Sequence, residues 1–178
     1  MEILNIAITG NVGAGKTTFI RTISEIEVVS TEKKASDDVS SLKRDTTVAM
    51  DFGRLTLNEN QVLHLYGTPG QARFDFMWDI VIEKAQAYIV LIDAHRPDDF
   101  HSCRRIYNFM QRKVNIPMLI GLTHADCEGA WNAEDIAMAI GLRNPSKIPS
   151  MIVIDPGNPR SVADSLIHLV QQLSPLAI

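Results

Sequence analysis

Gly10-Asn11-Val12-Gly13-Ala14-Gly15-Lys16-Thr17 follows directly on the apolar run Ile3-Leu4-Asn5-Ile6-Ala7-Ile8. The octet fits G-x-x-x-x-G-K-[ST], a phosphate-binding loop, and it stands where that pattern has meaning: after a buried strand and before a helix. Gly10, Gly13 and Gly15 let the backbone wrap closely round a phosphate with its N–H groups pointing inward, and Asn11, Val12 and Ala14 complete the cradle. Lys16 adds charge for the outer phosphates. The hydroxyl of Thr17 suits a bound Mg²⁺. The helix that opens at Thr18 and runs through Ile23 aims its positive end at the anion. A chance Gly-rich turn is the competing reading; strand, loop and helix arriving in order oppose it. The sequence predicts a nucleoside triphosphate site.

The 178 residues suit one domain with a real core. A hydrophobic share of 46% and a charged share of 21% are ordinary for a soluble globular chain. A net charge of −4 gives no reason to expect nucleic-acid binding. Cys103 and Cys127 are not spaced as a metal pair and fit reduced thiols. We expect a cytoplasmic protein with no direct membrane anchor. No signal peptide precedes the first strand, and no run is long and apolar enough to span a bilayer. Residue 2 is Glu, which excludes N-myristoylation, and the last five residues carry no prenylation cysteine.

Apolar runs alternate with amphipathic stretches, the order of an α/β protein with a mostly parallel sheet. Tyr88–Ile92, Met118–Leu122 and Met151–Ile154 read as central strands covered on both faces. Val48–Leu57 and Val62–Tyr66 read as a hairpin joined through Asn58-Glu59-Asn60, one strand forming the antiparallel edge. Asp98–Lys113 spaces Phe100, Cys103, Tyr107 and Met110 along one helical face, and Ala133–Ile140 ends at Gly141, a natural C′ residue. The last helix begins at Asn158-Pro159, a cap and a first-turn proline. It then aligns Val162, Leu166, Leu169, Val170 and Leu173. Ser30–Asp45 is polar, aperiodic and long for a connection, a pattern of functional or disordered loops.

Two further segments, Thr47-Val48-Ala49-Met50-Asp51-Phe52 and Leu65-Tyr66-Gly67-Thr68-Pro69-Gly70-Gln71-Ala72-Arg73-Phe74, resemble the switch regions of small Ras-like GTPases. With the phosphate loop they look most like the bacterial and archaeal MglA-like GTPases. The resemblance implies a single G domain over residues 1–178, with a six-stranded, mostly parallel sheet, one antiparallel edge strand and helices on both faces. It implies GTP and GDP as ligands, Mg²⁺ as cofactor, and slow GTP hydrolysis. Thr47 matches the switch I threonine that meets Mg²⁺ and the γ-phosphate, with Thr46 next if the register slips. Gly70 matches the switch II glycine, and Gln71 the residue that orients the attacking water. Plain strand propensity is the competing reading for the threonines, and an exposed loop residue for Gln71.

The match has departures. Where Ras-like proteins carry Asp-x-x-Gly, the aspartate position is Gly67, as it is vacant of aspartate in MglA-like relatives. Asp45, Asp51 or Asp93 are candidates to replace it, or magnesium is held by Thr17, Thr47, phosphates and water alone. The base-recognition Asn-Lys-x-Asp falls on Thr123-His124-Ala125-Asp126. A carboxylate at Asp126 can accept from guanine N1–H and N2–H₂ together, which adenine cannot match. Thr123 stands in for part of the asparagine's bonding. His124 is placed to stack on the base or is simply an exposed loop histidine. The last base motif falls on Asp155-Pro156-Gly157, where a backbone N–H is left to meet guanine O6.

Arg44 precedes Thr47 by three residues, the offset of the built-in arginine of heterotrimeric G-protein α subunits. It is therefore a candidate arginine finger, against the reading of a solvated loop charge. Arg54 is the second candidate. Val12 adds bulk where a Ras activator would insert its arginine. The resemblance instead implies a roadblock-fold regulator, and an unknown effector, meeting the exposed hairpin and the Phe74–Trp78 segment. Clustered aromatics there suit an anchor or simply pack a helix on the sheet. A small P-loop kinase or ATPase, and a nucleotide-binding scaffold without hydrolysis, are the alternatives. No pair of the five histidines makes a metal site.

Overall fold

The computed structural model describes residues 2–30, 50–70, 76–144 and 148–173, with the backbone alone at 30, 76 and 77. Strand β1 (Glu2–Gly10) leads through the loop into α1 (Lys16–Ile23). A two-residue strand β2 (Val29–Ser30) follows, then the hairpin β3 (Asp51–Asn58) and β4 (Gln61–Gly67). Next come α2 (Phe76–Lys84), β5 (Ala87–Asp93), a single 3₁₀ turn (Pro97–Asp99) and α3 (Phe100–Lys113). The chain closes with β6 (Met118–Thr123), α4 (Ala133–Ala139), β7 (Ser150–Val153) and α5 (Pro159–Leu173).

The strands lie in the order β2-β3-β4-β1-β5-β6-β7. β4, β1, β5, β6 and β7 run parallel, and β3 is antiparallel to β4 and to β2. This is the expected α/β sheet of six main strands, except that β7, expected to be a central strand covered on both faces, is an edge strand with Val153 exposed. The two-residue β2 extends it beyond the predicted edge, covering part of β3 where two residues carry no readable periodicity.

Alternation along the central strands divides the core. Tyr88, Val90 and Ile92 face the layer containing α2, α3 and α4, while Ile89 and Leu91 face α1 and α5. Every residue of β5 and β6 is buried, as their continuous apolar runs require. On α1, Phe19 and Ile20 are fully buried three and four residues past Lys16. Their burial contributes roughly 1.5–3 kcal/mol each and fixes the helix whose first turn faces the phosphate loop. Asn158 caps α5 by accepting from the N–H groups of Arg160 at 3.0 Å and Ser161 at 3.2 Å. Gly141 takes φ +88 after α4, as a C′ residue should. Burial pushes the Cys103 thiol up to about 12, which keeps it inert. Among the described residues no helix is long and apolar enough to cross a membrane.

Candidate functional site

The carboxyl ends of β1, β4, β6 and β7 converge on a cleft of about 670 Å³. Open parallel sheets place ligands at this end. At one side lie Val12, Gly13, Gly15, Lys16, Thr17 and Thr18; at the other lie His124 and Asp126 with Pro156. Gly70 and Asp51 close the wall beside Lys16 and Thr17. Thus residues scattered over most of the chain meet because each sits at or just past a strand end.

Lys16 is 9% exposed, and its Nζ donates to the carbonyls of Gly10 and Asn11, both at 2.7 Å. These bonds curl the side chain back over the loop and hold the ammonium where the cradle closes. Gly70 rests against the same group. A Cβ on Gly70 would stand 2.5 Å from the Val12 nitrogen and 2.8 Å from Lys16 Nζ. Only a glycine can approach the loop so closely.

Not every loop residue lines the cleft with its side chain. Gly10 lies in the sheet, and Asn11 turns away to donate from Nδ2 to the Asp99 carbonyl at 3.0 Å. Ala14 is buried, and its carbonyl accepts from Thr123 Oγ1 at 2.9 Å. Thr123 is itself fully buried. It therefore ties the end of β6 to the phosphate loop. Thr47 and its fallback Thr46, Gln71, Arg44 and Asp45 lie outside the described residues.

Two of the three candidate carboxylates are described, and they differ. Asp93 is buried: its Oδ1 accepts from the His95 N–H at 2.9 Å, and its Oδ2 lies 3.1 Å from His124 Nδ1. That contact is of ion-pair length without hydrogen-bond alignment. Asp93 thus braces His124, which adopts φ +53, and does not line the cleft. Asp51 does line it, and accepts a hydrogen bond from Thr17 Oγ1. Asp51 is also the direct cross-strand partner of Gly67. A carboxylate has moved across one strand pairing to the vicinity left without one. Because Thr17 Oγ1 donates to Asp51, the lone pairs of the hydroxyl oxygen are left available. An oxygen-only pair of this kind fits Mg²⁺, which takes few protein ligands and keeps water and phosphate oxygens. Among the described residues there is no cluster of three or more His, Cys, Asp or Glu that could hold a metal ion.

At the base end, Asp126 is exposed at the cleft rim. The 155–158 loop departs from expectation. Pro156 packs on Gly15, where a Cβ would stand 2.9 Å from Pro156 Cγ, and proline has no N–H. The Gly157 N–H is spent on Asp155 Oδ1 at 2.9 Å. Neither residue offers the free backbone donor expected for guanine O6. Thr68, Pro69, Ala125, Val153 and Ile154 complete the lining. Thr68, Pro69 and Ala125 belong to the motifs already quoted, whereas Val153 and Ile154 carry no signal beyond their place at the end of β7.

A family model described as a conserved hypothetical ATP binding protein matches residues 26–174. The chain belongs to that family. This member's matched segment contains Asp51, Gly70 and the whole base end of the cleft, and begins after the phosphate loop. An uncharacterized protein of Methanocaldococcus jannaschii, MJ1339, is 28% identical over 93 residues, 52% of this chain and 53% of that protein. The matched stretch therefore spans about half the length of that relative. The Arl6 (BBS3) small GTPase of Trypanosoma brucei, solved with the nucleotide analogue GppNp, superposes with a TM-score of 0.71. It covers 98% of this chain and 99% of that one at 14% identity, a likeness of fold. The family member therefore has a Ras-like fold.

Proposed function

We propose that this chain is a single G domain, a guanine-nucleotide switch that hydrolyses GTP slowly to GDP and phosphate. The observation that carries the reading is the meeting of Lys16, Thr17, Asp51 and Gly70 at one end of a cleft whose other end holds Asp126. Magnesium, when bound, offsets charge on the phosphate oxygens, and Thr17 with Asp51 and Thr47 are the residues to hold it. Lys16 holds the outer phosphates. Gln71 orients a water whose oxygen attacks the γ-phosphorus, and the bond from that phosphorus to the β–γ bridging oxygen breaks. With the third phosphate present, Thr47 and the Gly70 N–H each gain a partner; without it both are released. An effector reads the difference. The MglA-like motifs support a roadblock-fold regulator acting on the switches. We expect turnover below about one per second, as for unassisted members of this fold.

Titration of GTP, GDP and ATP into nucleotide-free protein with Mg²⁺, followed by phosphate release, tests this. Selective GTP and GDP binding with slow release of phosphate is expected. Equal binding of ATP would defeat the guanine assignment.

A second reading is an ATP-linked enzyme or scaffold. The family description and the missing backbone donor at Pro156 and Gly157 favour it. In the first reading Arg44 supplies positive charge to the developing anion. Arg44→Ala is then expected to slow single-turnover hydrolysis at least about tenfold with little change in nucleotide affinity. An unchanged rate removes Arg44 and leaves Arg54 as the candidate.

A further inference from the structure

Behind the phosphate loop lies a second cavity of about 210 Å³. The loop contributes Asn11 and Val12, α2 contributes Trp78, and α3 contributes Ser102 and Arg105. Arg96 and Asp99 come from the connection before α3. Among the described residues it shares Val12 and Gly70 with the nucleotide cleft.

The groups around this cavity are predominantly donors. Trp78 is 3% exposed, and its indole Nε1 is buried with no hydrogen-bond partner. An indole N–H can only donate, and a buried donor without an acceptor is uncommon enough to need a cause. Arginine guanidinium groups also only donate. Arg96 spends its Nε on Asp99 Oδ2 at 3.4 Å, while its Nη1 rests over Gly13. Among the described residues Asp99 is the one acidic side chain in the lining, and Arg96 is already engaged with it. What the buried indole lacks, among the described residues, is an acceptor. The space is too small for a nucleotide and suits a group the size of one acidic side chain.

We propose that this cavity is a carboxylate-binding site, with Trp78 Nε1, Ser102 Oγ and Arg96 as its donors. Charge-assisted bonds from a guanidinium to a carboxylate are the stronger kind, and the indole N–H adds a buried donor for which no described residue supplies an acceptor. Gly70 forms a wall of both spaces, and Asn11 ties the loop to Asp99. An occupant therefore touches the glycine that borders Lys16.

Trp78 and Trp131 are the only tryptophans, so the ¹⁵N-labelled full chain gives two indole signals. Trp131→Phe assigns them. Glutarate and a capped glutamate, N-acetyl-glutamate methylamide, are the probes, each titrated with and without saturating GDP and Mg²⁺. A saturable displacement of the Trp78 indole signal is expected in both conditions, with a dissociation constant on the order of millimolar. Trp131, which does not line the cavity, should stay in place and report the fold. Arg96→Gln should weaken binding about tenfold, and Ser102→Ala should weaken it with less disturbance of the surface. Equal binding of both probes supports an acidic side chain of a partner protein as the source. Binding of glutarate alone supports a free dicarboxylate. If neither probe moves Trp78, or if Arg96→Gln and Ser102→Ala both leave the affinity unchanged, the site is overturned. The readout does not depend on GTP hydrolysis or on guanine selection.

Discussion

Gly10→Ala is expected to destabilise the fold by about 2–6 kcal/mol, the sum of backbone strain and overpacking. Gly10 has φ +144, a region that L side chains rarely adopt. A Cβ there would stand 2.3 Å from the Leu91 carbonyl oxygen and 3.2 Å from its carbon. Those atoms are backbone of β5, the parallel neighbour with which Gly10 is in register. β1 is held on its other side by β4, so it has no free direction in which to shift. Relief requires separating β1 from β5 at the point where the phosphate loop begins. For a chain of this length the loss corresponds to a fall in Tm of roughly 10 °C. Thermal unfolding followed by circular dichroism, with and without GDP, measures it. A loss below about 1 kcal/mol would mean that the strand end relaxes and that the close contact is not a constraint.

The parts of this molecule that were readable in its sequence are those set by local chemistry. The phosphate loop is contiguous, so its glycines, Lys16 and Thr17 announce themselves together. The buried strands β5 and β6 are continuous apolar runs, and the caps at Asn158 and Gly141 are single-residue signals. What the sequence left open depends on pairing between distant segments. Asp51 is indistinguishable from Asp93 in composition. Only the register of β3 on β4 sets it opposite Gly67, and only the end of β5 sets Asp93 against His124. Thr123 is marked in the sequence by its alignment with the asparagine of the base-recognition motif. Its full burial under the Ala14 carbonyl is a property of packing. In the Asp155-Pro156-Gly157 loop the sequence shows that proline has no N–H, but the engagement of the Gly157 N–H by Asp155 is visible only in the fold. β2 was missed because two residues carry no period.

Moving the carboxylate back should test the magnesium assignment directly. Asp51→Gly is expected to reduce Mg²⁺-dependent nucleotide affinity about 10–100-fold, the usual cost of losing a group that orients a metal ligand. Affinity measured in chelator should change little, because Lys16 and the loop backbone do not need the ion. Thr17 would lose the acceptor that now holds its proton, so its oxygen would no longer be held for the cation. Gly67→Asp combined with Asp51→Gly should recover part of the loss. Position 67 faces position 51 across the β3–β4 pairing, and a Cβ at 67 would lie 3.1 Å from the present Asp51 Cβ. The double substitution removes that crowding. The remaining close atom is Ile20 Cδ1 at 2.9 Å, the far end of a flexible side chain that can rotate away. The comparison is made by GDP dissociation rates in Mg²⁺ and in chelator for the parent, the single and the double variant. Recovery in the double variant means that one carboxylate in this corner suffices whichever strand carries it. A single variant whose Mg²⁺ dependence equals the parent's would remove Asp51 from the metal site and leave the ion to Thr17, Thr47, phosphates and water.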